Sequence, residues 1–176
     1  STEFKNSKRI ELKSDFINGS LNGSFKYAHI GDAMASVMHN YFPSYVDLPK
    51  STSSNNQSFT FDLRVSENPS LLQLFLPKLN SVKSLKINGE FNGRDKHFDV
   101  NANVPGITYD QVHYYGMNVS FQATPNFLYA IAKMDSLSTK DSSWVENAAV
   151  QFMAQRDSLV FNINAKSSRT NSSINL

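Results

Sequence analysis

The sequence predicts a mainly β protein: a curved antiparallel meander, forming an open groove or a closed sandwich, with two short amphipathic helices. Apolar and polar residues alternate along most of the chain, and a period of two gives a strand one apolar face and one polar face. The connections between alternating segments are short and carry turn residues, so consecutive strands are expected to run antiparallel.

The clearest strand is the segment from Ser58 to Ser66, in which four apolar residues are separated by Thr60, Asp62 and Arg64. The same period recurs before and after it, which predicts a long, repetitive sheet. The alternating apolar positions are Ile10 and Leu12; Ile17, Leu21, Phe25 and Tyr27; Phe59, Phe61, Leu63 and Val65; Leu85, Ile87 and Phe91; Phe98, Val100, Ala102 and Val104; Tyr115, Met117, Val119 and Phe121; Val150 and Phe152; and Leu159, Phe161 and Ile163.

Three short segments between these strands have the composition of turns. They are Asn92-Gly93-Arg94-Asp95, Thr124-Pro125-Asn126 and Gln155-Arg156-Asp157-Ser158.

Two segments depart from the period of two. Apolar residues fall at helical spacing near 31–41, with Pro43 just beyond, and a shorter helix is predicted near 69–76, between Pro69 and Pro77. Each helix offers one apolar face and is too short to be stable alone, so both are expected to cap the sheet. The Ser-, Thr- and Asn-rich stretch at 50–57 is predicted to be a mobile loop.

One short pattern occurs twice. Residues 17–23 read INGSLNG and residues 87–93 read INGEFNG, an offset of 70 positions, and alternate positions in both read apolar, Gly, apolar, Gly. Glycine inside a strand permits a bulge or bend, or lets another backbone or a ligand approach closely. The pattern predicts either two similar curved hairpins or a sharply curved groove wall.

Composition narrows the classes of function. The 176 residues suffice for one domain, and residues 1–176 are treated as a single β segment. The 17 basic and 15 acidic side chains are spread along the chain, so no cationic stripe for nucleic acid is predicted. Without cysteine, the chain has no disulfide, thiolate nucleophile or zinc-thiolate site. No apolar run approaches the roughly 20 residues that cross a bilayer, so any anchor is expected in a longer parent protein.

Catalytic and metal-binding patterns are not recognisable. The four histidines show no paired spacing, the carboxylates lie singly, and the sequence contains no GxSxG, GxGxxG or P-loop motif. We therefore expect no enzyme activity, no cofactor and no metal site. The remaining feature is the apolar face of the sheet, which two short helices cannot fully cover; the sheet must either fold over onto itself or leave part of this face open.

Several segments in order resemble TamB proteins of the AsmA-like group, particularly the Bacteroidetes form. The resemblance covers nearly the whole chain. It is most specific at Leu74-Phe75-Leu76-Pro77, at the Asn-Gly strand that follows, at Phe98-Asp99-Val100-Asn101-Ala102 and at Asp157-Ser158-Leu159-Val160-Phe161.

The resemblance implies a periplasmic segment of a large envelope protein anchored in the inner membrane and built of curved strands that form a taco-shaped groove. It also implies phospholipid transport toward the outer membrane and, through other parts of the parent chain, an Omp85-type partner. The chain lacks the family's N-terminal membrane helix and any terminal segment that matches partner docking.

Two functions follow as hypotheses: a conduit for phospholipid acyl chains, or a chaperone-like scaffold that assists outer-membrane β-barrel assembly by pairing its strand edges with clients. An enzyme acting on a cell-surface polymer would need paired carboxylates in a polar cleft. The residues predicted to line the lipid groove are Phe59, Phe61, Leu63, Val65, Leu85, Ile87, Phe91, Phe98, Val100, Val119, Phe121, Phe161 and Ile163.

Overall fold

The computed structural model describes residues 7–49, 56–67, 70, 73–74, 76–139, 142–166 and 171–175, with backbone alone at 142–144 and 171–175. In this part of the chain, eleven strands form one antiparallel sheet and one helix packs on it. The mainly β prediction is confirmed. The elements are β1 (Lys8–Lys13), β2 (Ile17–Ser24), α1 (Tyr27–His39), β3 (Ser58–Val65), β4 (Leu79–Val82), β5 (Leu85–Asn92), β6 (His97–Tyr109), β7 (Val112–Ala123), β8 (Leu128–Thr139), β9 (Ser142–Gln155), β10 (Ser158–Lys166) and β11 (Asn171–Asn175).

The sheet is a meander, in the spatial order β1-β2-β3-β5-β6-β7-β8-β9-β10-β11. Strand β4 precedes β5 and pairs with the part of β6 that β5 does not reach. Between the β4–β6 pairing and the β5–β6 pairing, the Lys83 amide donates to the Gly106 carbonyl at 2.8 Å. Strands β4 and β5 are therefore one interrupted strand beside β6. The described strands form a single open sheet and not two stacked ones.

Strand pairing aligns the apolar residues into three rows that cross the sheet on one face, because directly paired residues point the same way. Row one contains Gly23, Phe59, Phe91, Phe98, Ala123, Leu128, Ala154 and Leu159. Row two contains Ile10, Leu21, Phe61, Gly89, Val100, Phe121, Ala130, Phe152 and Phe161, and row three contains Leu12, Gly19, Leu63, Ile87, Ala102, Val119, Ala132, Val150 and Ile163.

The opposite face is polar over most of its width. Between rows two and three, for example, Asp62, Asn88, Asn101 and Ser120 are paired from strand to strand. The Ser120 hydroxyl donates to Asn101 Oδ1 at 2.5 Å, so uncharged side chains bond to one another across this face.

The helix begins earlier than predicted. It was expected near 31–41 and it spans Tyr27–His39, so the assignment of Tyr27 to a strand was wrong. Gly23, with φ +148°, lies near the end of β2, and the Lys26 amide at the N-cap donates to the side chain of Gln57 at 2.6 Å. The chain therefore leaves the sheet before Tyr27.

The helix covers the end of the strands that carries row one. Its buried residues Ala33 and Val37, with Phe25 before it and Tyr41 after it, form one core cluster with five of the row-one residues. Beyond the helix, the Tyr41 hydroxyl donates to the Thr124 carbonyl, which holds the chain against the β7–β8 connection.

The C-terminal side of the helix is also tied to the β9–β10 turn. The Asp157 amide donates to the Tyr41 carbonyl at 2.7 Å, and the Ser44 hydroxyl donates to Asp157 Oδ2 at 2.8 Å. Strand β2 and the β9–β10 turn thus anchor the two ends of the helical segment.

The three predicted turns are confirmed as the connections β5–β6, β7–β8 and β9–β10. Residues 69, 71, 72 and 75 of the second predicted helix, and residues 50–55 of the predicted mobile loop, lie outside the described part of the chain. A deep taco-shaped curvature of the sheet remains a prediction.

Candidate functional site

All thirteen residues predicted to line the groove lie on the apolar face. Eleven belong to the three rows, and Val65 and Leu85 form a directly paired couple one step beyond row three. The sequence pattern thus predicted which side chains share one face. The burial of each row decides which of these residues are accessible to a ligand.

Two of the thirteen are covered by the protein itself. Phe59 is 8% exposed and Phe91 is 2% exposed, and both lie in the core cluster beneath α1. Their rings stack on each other with centroids 5.2 Å apart. They are structural core residues in this conformation, so the predicted lining is reduced to the rows that the helix leaves accessible.

One helix can cover about two rows. A helix with its side chains is roughly 10–12 Å wide, whereas rows two residues apart on a strand are separated by about 6.7 Å. The burial follows this geometry: row one is mostly buried, whereas Phe61, Phe98 and Phe121 are partly buried at the margin of the core. Row three lies beyond the helix.

Row three forms a continuous apolar lane outside the core cluster of the described residues. Every position in it, from β1 to β10, is apolar or glycine. Toward the two ends of the lane, Leu12 is 48% exposed, Val150 41% and Ile163 37%, and the six positions between Leu12 and Val150 are partly buried. The lane crosses nine neighbouring strands, so at roughly 4.8 Å per spacing it is about 38 Å long. It contains no charged side chain that would interrupt contact with a hydrocarbon chain.

The repeated glycine pattern has a structural explanation. Strands β2 and β5, which carry the two copies, flank β3, and Gly19, Gly23 and Gly89 each face a bulky residue of that strand. The fourth glycine, Gly93, follows β5, and its amide donates to the Gln57 carbonyl. A Cβ on Gly19 would lie 2.5 Å from Leu63 Cδ2, and a Cβ on Gly89 would lie 2.7 Å from Phe61 Cζ. Gly19 therefore makes room for Leu63 to lean toward β2, and Gly89 makes room for Phe61 to lean toward β5.

The polar face holds a cluster that sequence reasoning missed. Glu90 on β5 and Asp99 on β6 are directly paired, and His97 Nε2 lies 3.2 Å from Glu90 Oε1 and 3.0 Å from Asp99 Oδ2. The signal was present, because the turn after Asn92 sets the hairpin register that pairs residue 90 with residue 99. The expectation of isolated carboxylates was wrong for this pair.

An open depression of about 450 Å³ also lies largely on the polar face, beside this cluster. Asp62, Asn88, Glu90 and Asn101 contribute to its lining. Phe61 and Gly89 of row two also line it.

No family model, curated protein or solved structure matches this chain. Among the described residues, no helix has both the length and the apolar character needed to cross a membrane.

Proposed function

We propose that the uncovered part of the apolar face shelters lipid acyl chains, within a longer TamB-like envelope protein that spans the periplasm between an inner-membrane anchor and the outer membrane. The observation that carries this proposal is row three, an unbroken apolar lane beyond the reach of α1. The taco-shaped curvature, the phospholipid cargo and the Omp85-type partner of the parent chain belong to the same proposal.

The energetics favour a continuous lane over separate pockets. Each methylene exposed to water costs about 0.8 kcal/mol, so a chain of roughly sixteen carbons carries a cost on the order of 12 kcal/mol. The lane, about 38 Å long, exceeds the roughly 15 Å hydrocarbon thickness of one leaflet. A surface of this length can cover an acyl chain along its whole extent, whereas isolated exposed residues cannot.

A matched pair of variants tests the proposal. Ile87→Asp places a carboxylate in row three, and Asn88→Asp places the same charge one residue away on the polar face. Crosslinking to a phospholipid with a photoreactive acyl chain should fall about tenfold or more for Ile87→Asp, since burying one aliphatic side chain is worth about 1.5–3 kcal/mol. Asn88→Asp should crosslink like the unmodified chain.

A second pair, Ile163→Asp and Asn164→Asp on β10, guards against a variant that fails to fold, and circular dichroism checks each protein. Equal crosslinking of the row-three variants and their polar-face controls would refute the lipid proposal.

The scaffold hypothesis is favoured by one observation, the unpaired edge of β1 in the described sheet. That edge strand carries Lys8, Arg9 and Lys13, and charged side chains of this kind protect natural edges from pairing. Binding of unfolded β-barrel segments with protection of β1 amides from hydrogen exchange, together with no lipid crosslinking, would support the scaffold instead.

A further inference from the structure

On the polar face, two carboxylates lie side by side, and a cation between them would stabilise the pair. Glu90 and Asp99 are directly opposite each other on β5 and β6, and like charges in such a pair destabilise a sheet. The pair occurs in a folded hairpin, so a positive partner between the two carboxylates would relieve the repulsion. His97 approaches both of them from the same face.

Histidine alone does not satisfy these carboxylates. Its Nε2 atom carries at most one proton, yet it lies within 3.2 Å of an oxygen of Glu90 and an oxygen of Asp99. Asp99 Oδ1 is shielded from solvent and has no hydrogen-bond partner. The site therefore offers more acceptors than protons.

We propose that Glu90, His97 and Asp99 bind a divalent transition-metal ion of the zinc class. One ligand atom from each residue lies within 4.8 Å of the other two. Ligand atoms about 2.0–2.2 Å from a zinc ion, at angles between octahedral and tetrahedral, are separated by roughly 2.8–3.6 Å. The distances of 3.0 Å and 3.2 Å from His97 Nε2 to the two carboxylates fall in this range.

The donor set also selects among cations. Imidazole nitrogen suits zinc, copper, iron and nickel, whereas calcium and magnesium prefer oxygen ligands alone. Three protein ligands leave coordination positions for water or another molecule, and Glu90, with a side chain 58% exposed, borders the open depression.

Metal binding would join the two strands of one hairpin. Glu90 precedes the β5–β6 turn and His97 and Asp99 follow it. The turn is already ordered by Asn92 Oδ1, which accepts hydrogen bonds from the amides of Arg94 and Asp95. The inference is independent of the lipid proposal, because these residues lie on the face opposite row three.

The test uses the complete, tag-free 176-residue chain, with zinc affinity measured by competition with a chromophoric chelator and stability by thermal unfolding. A zinc concentration a hundredfold above the dissociation constant should raise the melting temperature by about 5–10 °C. Calcium or magnesium should give a smaller shift.

His97→Gln is the decisive variant, because a glutamine amide still donates hydrogen bonds to the carboxylates but is a poor zinc ligand. It should lose zinc affinity at least tenfold while its melting temperature without metal stays close to that of the unmodified chain.

His113→Gln is the matched control. This histidine lies on the same sheet and bonds to Thr108, and its loss should leave zinc binding unchanged. Asp99→Asn should weaken binding as His97→Gln does. Zinc binding of equal strength in the His97→Gln and unmodified proteins, or no zinc-dependent shift in the unmodified protein, would overturn the inference.

Discussion

Replacing Gly89 by alanine should destabilise the sheet, even though alanine is normally preferred over glycine inside a strand. The new Cβ would lie 2.3 Å from the Asp99 carbonyl oxygen and 2.7 Å from Phe61 Cζ. The Phe61 ring can rotate away, but the carbonyl belongs to the paired backbone of β6. Either the strands separate or the hydrogen-bonded register distorts.

The expected magnitude combines two opposing terms. Overpacking a close-fitting site costs about 1–3 kcal/mol, and the lower entropy of an unfolded alanine chain returns about 0.5–1 kcal/mol. The central values of the two terms, about 2 and about 0.75 kcal/mol, give a net loss of about 1 kcal/mol, which corresponds to a fall in melting temperature of roughly 2–4 °C for a chain of this length.

Gly31→Ala is the matched control. Gly31 lies inside α1, and an added Cβ there would meet nothing within 4 Å. Alanine should stabilise this helix by about 1 kcal/mol, so the melting temperature should rise by about 2–4 °C.

Thermal unfolding followed by circular dichroism measures both variants. The steric explanation of the repeated glycines fails if Gly89→Ala is as stable as the unmodified chain while Gly31→Ala gives the expected gain. A Phe61→Leu background refines the test: part of the Gly89→Ala loss should disappear if the ring contributes to the clash, and the part due to the Asp99 carbonyl should remain.

Two further predictions concern the covered and open parts of the apolar face. Burial raises the pKa of Tyr41 to about 12, so the fold favours the neutral phenol. The unfolded chain loses this proton first, and the stability of the fold should therefore fall as the pH rises from about 10 to 12. Tyr41→Phe should remove that pH dependence; near pH 7 it should also lower stability by about 1–3 kcal/mol in denaturant titrations, because the Thr124 carbonyl loses its donor. Phe91→Ala should cost about 3–5 kcal/mol because the ring is 2% exposed, whereas Phe161→Ala, at 38% exposure, should cost less than half as much; equal losses would contradict the boundary drawn between core and open surface.

The strand pattern was predictable because alternation and turn chemistry act locally. Ser58–Val65 alternates without a break, and the turns after Asn92, Thr124 and Gln155 fix the register of their hairpins. Registers in turn determine which side chains share a face. All thirteen predicted lining residues therefore lie on the same face of the sheet.

The errors arose where the decisive contact is distant in sequence. Strand β2 ends at Ser24, and helix α1 begins at Tyr27, where the Lys26 amide bonds to Gln57, thirty-one residues further on. No local pattern near Gly31 reveals that contact. The cluster of Glu90 and Asp99 was missed for a different reason: its residues look isolated until the hairpin register is counted outward from the turn.

The division between covered and open rows also follows from chain connectivity. Only Phe25 and Lys26 separate the end of β2 from the start of α1, so the helix must pack at the end of the sheet where β2 finishes. Row one lies at that end, since Gly23 and Phe59 are paired there. The other end of the helical segment is tied to the β9–β10 turn by Asp157, so the helix runs along row one, and its width of about 10–12 Å does not extend to row three, about 13 Å away. The position of row three outside the core cluster therefore follows from the two attachments of the helical segment, and both would have to change before the same helix could cover it.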